Sequence, residues 1–282
     1  MDFDKIRRHT IVALFSDDTL LEELVLKGGN AISLIYGLGN RASLDLDFSL
    51  ENDFADVADA ERRIFKALEQ RFGQVGLIVF DTKFGVRPRN ADEGSLWGGY
   101  QFEFKLIARL KEAELQSNRD AIRRNALVVG PAQQRIFTVD LSKHEFCGGK
   151  VEWELDNYTI YVYTPEMIVI EKLRAICQQM RGYTLNLAKR GRARDFYDIH
   201  LLVTAKDIDL TTSKNFTLLR DIFQAKTVSL DLLGSIREDH EIHRIDWPSV
   251  RDTVSPRLGE FDYYLDFVLG EVARILKALR VE

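Results

Sequence analysis

The stretch LKGGNAISLIYGLGNRASLDLDFSL, from Leu26 to Leu50, limits what this chain can fold into more than any other segment. Its last eight residues alternate with period two, the pattern of a strand. In a strand, residues two apart point the same way, so Asp45 and Asp47 share a face while Leu44, Leu46 and Phe48 take the other. Two neighbouring carboxylates raise each other's pKa or weaken the strand. Their setting among Leu44, Leu46, Phe48 and Leu50 predicts a mostly buried strand, where charges of one sign need a counterion. A divalent cation removes the conflict, because Mg²⁺ takes oxygen ligands and is commonly held by one or two carboxylates plus substrate phosphates. An isolated D-x-D on a solvated edge is the plainer alternative.

The glycine pair bears on that choice. Gly28 and Gly29 precede a helical pattern over Ala31–Tyr36, with Ile32, Ile35 and Tyr36 on one side. Such a turn lets backbone N–H groups approach a phosphate closely, and a helix N-terminus favours its charge. A phosphate-cradling turn, a short helix and a paired-carboxylate strand together suit a metal–triphosphate.

The rest of the chain organises around this core. Asp4 to Leu26 carries apolar positions at helical spacing, and Asp53–Arg71 reads as an amphipathic helix through Val57, Ile64, Phe65 and Leu68. Strands are predicted at Val75–Phe80, Tyr100–Ala108, Arg135–Ser142 and Tyr158–Thr164, with a polar helical connection from Arg109 to Arg124. From Pro165 onward the pattern turns helical, Pro165 itself fitting a first helical turn. The predicted fold is therefore α+β: a mixed-sheet domain over 1–164, then a helical domain over 165–282. At 282 residues and 45% hydrophobic content a substantial core is affordable, and a net charge of -5 neither demands nor excludes a nucleic-acid partner. Two distant cysteines, Cys147 and Cys177, make neither a disulfide framework nor a zinc cluster. With no apolar leader and no run of ~20 apolar residues, the expectation is a soluble cytoplasmic protein without a membrane partner.

The Leu26–Leu50 stretch resembles the first motif of the AbiEii-type nucleotidyltransferase toxins, within the DNA polymerase β-like nucleotidyltransferase superfamily. The usual form is L-K-G-G-T-A-L, a helix, then R-F-S-E-D-L-D-F. Lys27, Gly28, Gly29, Arg41, Ser43, Asp45, Asp47 and Phe48 match it, while Asn30, Ala42 and Leu44 depart. Asn30 keeps an amide that can donate to a phosphate. Downstream, Lys172-Leu-Arg-Ala175 resembles the toxins' K-h-x-A helix, and Arg194, Asp195, Tyr197 and Asp198 resemble their R-D-h-Y-D signature. Read without the family, Arg194 and Asp198 are four apart on a helix and can pair, and Lys172 borders an apolar stripe.

The resemblance implies a nucleotidyltransferase fold with its active site between the two domains, and transfer of NMP from an NTP to an acceptor hydroxyl. Superfamily members take a third carboxylate from a later strand. Asp140 in TVDLS is favoured for it, with Glu103 in FEF as competitor. On this reading Asp45, Asp47 and Asp140 hold two Mg²⁺ ions (or Mn²⁺). Lys27, Gly28, Gly29, Asn30, Arg41, Ser43 and Arg194 bind the nucleotide, Lys172 neutralises the triphosphate, and Asp195 or Asp198 positions the acceptor or acts as base. The family further suggests a tRNA 3′ end as acceptor and a toxin role beside a cognate antitoxin. A protein nucleotidylating transferase and an inactive nucleotide-binding regulator are the rivals.

Two smaller features complete the reading. Between Glu171 and Arg194, seven basic residues face one acid, which predicts a polyphosphate or RNA face. His240 and His243 have a metal-like spacing but no evident third ligand, and read as a surface pair.

Overall fold

The computed structural model describes residues 3–39, 45–88, 98–116, 118–130, 133–185, 189–254 and 258–280. By its contacts the chain divides into two compact units: Met1–Asn30 with Ala42–Val162, and Ala31–Arg41 with Tyr163–Glu282. The chain thus leaves the first unit once, just after the glycine pair, and returns ahead of Asp45.

In the first unit the described strands are β1 (Leu24–Lys27), β2 (Leu46–Leu50), β3 (Leu77–Arg87), β4 (Gly99–Ala108), β5 (Phe137–Ser142), β6 (Val151–Leu155) and β7 (Tyr158–Val162). They form one sheet in the order β3-β4-β5-β2-β1-β7-β6. β2–β5 and β1–β7 pair in parallel and the other neighbours antiparallel. Helices α1 (Phe3–Phe15), α2 (Asp18–Glu23), α3 (Gly28–Asn30), α4 (Val57–Gln74), α5 (Arg109–Glu114) and α6 (Arg119–Arg124) complete the unit.

Alternation along the central strands divides the sheet into two chemically different faces. Leu46, Phe48, Phe102, Phe104, Val139 and Leu141 are buried on one, under α1 and α4. Phe15 of α1 meets the Phe48 ring at 6.0 Å, and Phe72 of α4 meets Phe104 at 5.7 Å. The residues between them face the other way, and that face carries Asp47 and Asp140.

Four strands depart from the sequence reading: β2 starts at Leu46, so Asp45 lies outside it, β3 runs on to Arg87 past the expected end at Phe80, and β1 and β6 are not among the expected strands. Asp4–Leu26 is not one helical run: Asp17 caps a second helix by accepting from Thr19 and Leu20 N–H, and LVLK then forms β1. All four β1 residues are buried, so no alternation marks them as a strand. β6 is an exposed edge strand joined to β7 through Asp156 and Asn157, both at positive φ (52° and 65°), the geometry of a tight hairpin turn.

The second unit opens with a π-helical segment, Ala31–Ile35, continuing from α3. After it come α7 (Pro165–Cys177), α8 (Ala193–Lys206), α9 (Ser213–Gln224), a 3₁₀ segment Leu230–Asp239, α10 (Glu241–Arg244), α11 (Trp247–Val254) and α12 (Phe261–Leu279). Thr164 caps α7 by accepting from Met167 N–H at 3.2 Å, with Pro165 in the first turn where its missing N–H costs nothing. α7 packs on α8 and α9, and α8 packs on α12, where Phe196 meets Phe261 edge-on at 5.2 Å. Among the described residues, no helix is long and apolar enough to cross a membrane.

Candidate active site

A row of polar residues crosses the sheet in register. Asp47 on β2 stands opposite Lys27 of β1 and opposite Asp140 of β5, and Asp140 stands opposite Gln101 of β4. Residues paired across strands share a face, so two carboxylates come side by side on strands ~4.8 Å apart. Both are partly buried.

Each member of the row is fixed by a neighbour. Gln101 Nε2 donates to Asp140 Oδ1 at 2.9 Å. Gln101 Oε1 in turn accepts from Arg87 Nε at 3.0 Å and Nη2 at 2.5 Å, which orients the amide so that its N–H₂ faces the carboxylate. Lys27 is only 6% exposed, and its ammonium lies 3.3 Å from Glu145 Oε1. The Glu145 backbone N–H is tied to the Leu50 carbonyl, anchoring that acid to the far end of β2.

Gly28 closes the row from the side. Its φ is +70°, which L side chains rarely adopt, and a Cβ there would lie 2.6 Å from Asp47 Oδ2. The glycine turn therefore packs its backbone directly against a site carboxylate. Asn30 is completely buried: its Oδ1 accepts from Arg7 Nη1 at 2.6 Å, and its Nδ2 donates to the Asp45 carbonyl at 2.5 Å. Its amide clamps α1 to the backbone at Asp45, so the geometry gives it a positioning role at the start of β2. Asp45 itself precedes β2 and is exposed. Arg41 and Ser43 lie outside the described residues.

Glu103 faces the same way as Asp140 but stands one pleat further along, opposite Thr138, with Lys83 Nζ 3.4 Å away. Among the described residues, no three His, Cys, Asp or Glu side chains form a ready-made metal cluster. The expected convergence of Asp45, Asp47 and Asp140 into one three-carboxylate group is therefore not seen, because Asp45 lies before β2 and only Asp47 and Asp140 stand paired across strands. A hard cation such as Mg²⁺ can be held by one or two carboxylates plus substrate phosphates. The donor chemistry of Asp47 and Asp140 suits such an ion, with Asp45 close in sequence and free of the strand.

In the second unit, Lys172 of α7 meets two carboxylates of α8. Its Nζ lies 2.7 Å from Asp195 Oδ1 and 2.8 Å from Asp198 Oδ2. Burial alone would push the ammonium's pKa down; the two carboxylates overcome this and hold it above its usual value. The sequence reading put Lys172 at a core border. It is buried instead, because α8 brings both acids to it across the helix pair. Asp198 spends its charge on Lys172, and Arg192 supplies a further contact to Asp195 at 3.4 Å.

The expected basic face between Glu171 and Arg194 is largely consumed inside the unit. Arg174 pairs with Glu171, Arg181 with Asp239, and Lys189 donates to the carbonyls of Gln178 and Tyr183. His243 is likewise no surface residue. It is 1% exposed, packs on Phe196 at 5.2 Å and accepts from the Arg192 N–H through Nδ1, and burial lowers its pKa to about 4.

Sequence reasoning overlooked Gln101, Arg87 and Arg7. Gln101 carried a signal: it alternates with Tyr100 and Phe102 in the same pattern that drew attention to Glu103. The others are distant partners that only the fold brings in.

With this geometry in hand, the chain can be set beside known proteins. The family model described as "Nucleotidyl transferase AbiEii toxin, Type IV TA system" matches residues 10–267. No curated protein matches the sequence. Among solved structures, a Helicobacter pylori protein described as a nucleotidyltransferase aligns over 99% of this chain and 96% of its own, at 18% identity and TM-score 0.52. JHP933 from Helicobacter pylori aligns over 98% and 91%, at 18% identity and TM-score 0.50. MenT4, a nucleotidyltransferase toxin of Mycobacterium tuberculosis, aligns over 84% and 66%, at 16% identity and TM-score 0.38. At these identities the first two likenesses speak for the fold.

Proposed function

The chain belongs to the AbiEii nucleotidyltransferase toxin family, and from that premise we propose that it transfers NMP from an NTP to an acceptor hydroxyl, releasing pyrophosphate. The observation that carries this reading is the in-register pair Asp47–Asp140 with the Gly28 backbone packed against Asp47. A strand pair that sets two carboxylates together on a partly buried face is costly unless a cation joins them. A glycine turn beside it is what a polyphosphate would need.

Asp47 and Asp140, joined by Asp45, would hold Mg²⁺ or Mn²⁺. Such ions, when bound, activate the acceptor oxygen and steady the charge on the leaving pyrophosphate. The chain's own residues do the positioning. Gln101, oriented by Arg87, holds the Asp140 carboxylate in place. Lys27, braced by Glu145, sets a positive charge beside Asp47 and limits the repulsion between the acids. The Gly28–Gly29 backbone offers N–H groups to the β- and γ-phosphates, and Asn30 fixes the backbone from which Asp45 projects. Arg41, Ser43 and Arg194 are assigned to nucleotide binding by family resemblance. In the helical unit Lys172 fixes the Asp195 and Asp198 carboxylates in place, and family resemblance assigns one of these acids to orient the acceptor or accept its proton.

The acceptor we favour is an RNA 3′ end, a tRNA in particular, and the toxin role implies a cognate antitoxin. The test is to incubate the protein with α-labelled NTPs, Mg²⁺ and total RNA. Label on RNA supports the proposal. Label on protein would support a protein nucleotidylating transferase instead, and label on neither a nucleotide-binding regulator.

A further inference from the structure

The acid-bearing face of the sheet carries a second polar feature outside the acid row. A groove beside β3 and β4 is lined by Asp81, Lys83, Glu103, Lys105, Arg119 and Arg123, four cations against two acids. It lies in a protein whose net charge is -5, so the local excess runs against the whole.

Its construction is specific. The β3–β4 register shifts between Phe80 and Lys83, and Asp81 sits in that irregularity at φ 48°. The bulge turns the Asp81 carboxylate toward two cations at once: Lys105 Nζ at 3.0 Å, and Arg123 Nε and Nη2 at 2.7 and 2.9 Å. The Arg123 guanidinium above all holds its carboxyl down, to about 2, so the acid stays ionised and the trio stays cationic. Asp81 thereby staples α6 over the sheet as the groove's wall. Arg119 on the same helix stands exposed, and the Lys83 side chain is 72% exposed and pairs loosely with Glu103 at 3.4 Å. Strong pairs build the groove, and weakly engaged cations line its mouth.

The groove's place in the sheet gives it a direction. Gln101, Glu103 and Lys105 alternate along β4 on the face that bears Asp140. At ~3.4 Å per residue, Lys105 lies ~14 Å from the Gln101 that holds Asp140, on the side from which Asp45 enters β2. That distance spans roughly four stacked nucleotides at ~3.4 Å each.

We propose that this groove binds the phosphate backbone of a single-stranded nucleic acid and leads its end toward Asp140 and Asp47. The assignment deepens the proposed function, on which it rests for the identity of the end that reacts. Lysine and arginine cations along a groove of this kind neutralise phosphates and make no set of base-edge contacts, so binding should be indifferent to sequence and steep in salt.

The experiment is fluorescence anisotropy with a labelled ten-nucleotide single-stranded RNA of mixed sequence, without NTP, over a salt series. The parent is compared with the double variant Lys83→Glu/Arg119→Glu and with Lys83→Gln/Arg119→Gln, both checked by circular dichroism. Neither position staples α6, so folding should persist; the Gln pair keeps the test decisive if charge reversal unfolds the protein. We expect at least tenfold weaker RNA binding for charge reversal, a smaller loss for Gln, and a salt slope reduced by about 1.4, from two lost phosphates at ~0.7 each. Mg–ATP affinity should be unchanged, and Lys214→Glu on α9 should alter neither. Unchanged RNA affinity and slope would overturn the proposal, as would polyglutamate of matched charge competing as well as RNA. Because this readout needs no turnover, RNA binding lost at the groove together with absent transfer would fault the proposed function alone.

Discussion

Replacing Gly28 with alanine changes one methyl group and tests two consequences of the fold at once. The backbone there has φ +70°, where an L residue costs ~1–2 kcal/mol. The new Cβ would lie 2.6 Å from Asp47 Oδ2, closer than the 3.0 Å below which something must shift. Asp47 must therefore retreat by about 0.4 Å or rotate away from Asp140. Strain alone should lower the melting temperature by roughly 2–8 °C, at about 2–4 °C per kcal/mol for a chain of this size. Misplacing a reacting group by ~1 Å can cost ~100-fold, so a shift of this size should cost about tenfold or more in transfer rate. Gly37→Ala supplies the control, since Gly37 has φ +65° but nothing within 4 Å of its added Cβ. It should lose comparable stability and keep its activity. The assay is thermal unfolding beside label transfer from an α-labelled NTP. Parental transfer by Gly28→Ala, or equal activity losses in both variants, would refute the link between the glycine turn and Asp47.

Three further outcomes follow from the contacts described above. Lys172→Met leaves Asp195 and Asp198 buried and facing each other, and breaking such a pair costs ~3–5 kcal/mol, so chemical denaturation should show a loss of that order; a loss under ~1 kcal/mol would mean the acids reach solvent. Gln101→Leu keeps the shape but removes the donor to Asp140, and should lower kcat about tenfold with KM for NTP nearly unchanged, as steady-state kinetics will show. His243 has a folded pKa of about 4 against 6.5 free, lowered chiefly by burial, so the unfolded chain takes up the proton first as pH falls. Its contribution to stability is complete above pH ~6.5 and lost toward pH ~4, up to ~3 kcal/mol, and His243→Gln should flatten urea-denaturation stability across that window.

How much of this was legible in the sequence depended on whether a residue's partners lie near it in the chain. Asp47 and the glycine turn announce themselves through alternation and spacing, although the same alternation put Asp45 inside a strand that begins only at Leu46; Thr164-Pro165 marks the start of α7 because caps are local chemistry. β1 was invisible for the opposite reason: LVLK is buried on every side, so its apolar run merges with the preceding helical pattern. β6 was missed although its signal is local: VEWEL alternates Val151, Trp153 and Leu155 with Glu152 and Glu154, and Asp156-Asn157 is good hairpin chemistry, so this strand was legible and went unread. The basic stretch from Lys172 to Arg194 misled, since charge counted along a chain says nothing of the acids that Asp195, Asp198 and Asp239 bring from elsewhere. The groove at Lys83 and Arg119 was hidden by the same rule in reverse: its cations come from β3, β4 and α6, and no single window holds them.

The central claim is that the Asp47–Asp140 pair is the catalytic carboxylate pair of a nucleotidyl transfer. Its most direct measurement is transfer of label from an α-labelled NTP to RNA in the presence of Mg²⁺ by the parent, Asp47→Asn and Asp140→Asn. These near-isosteric changes remove charge and leave the strand pairing intact. The account predicts RNA labelling and pyrophosphate release by the parent, and at least a hundredfold loss in each variant without loss of folded structure. Transfer at the parental rate by either variant would contradict it.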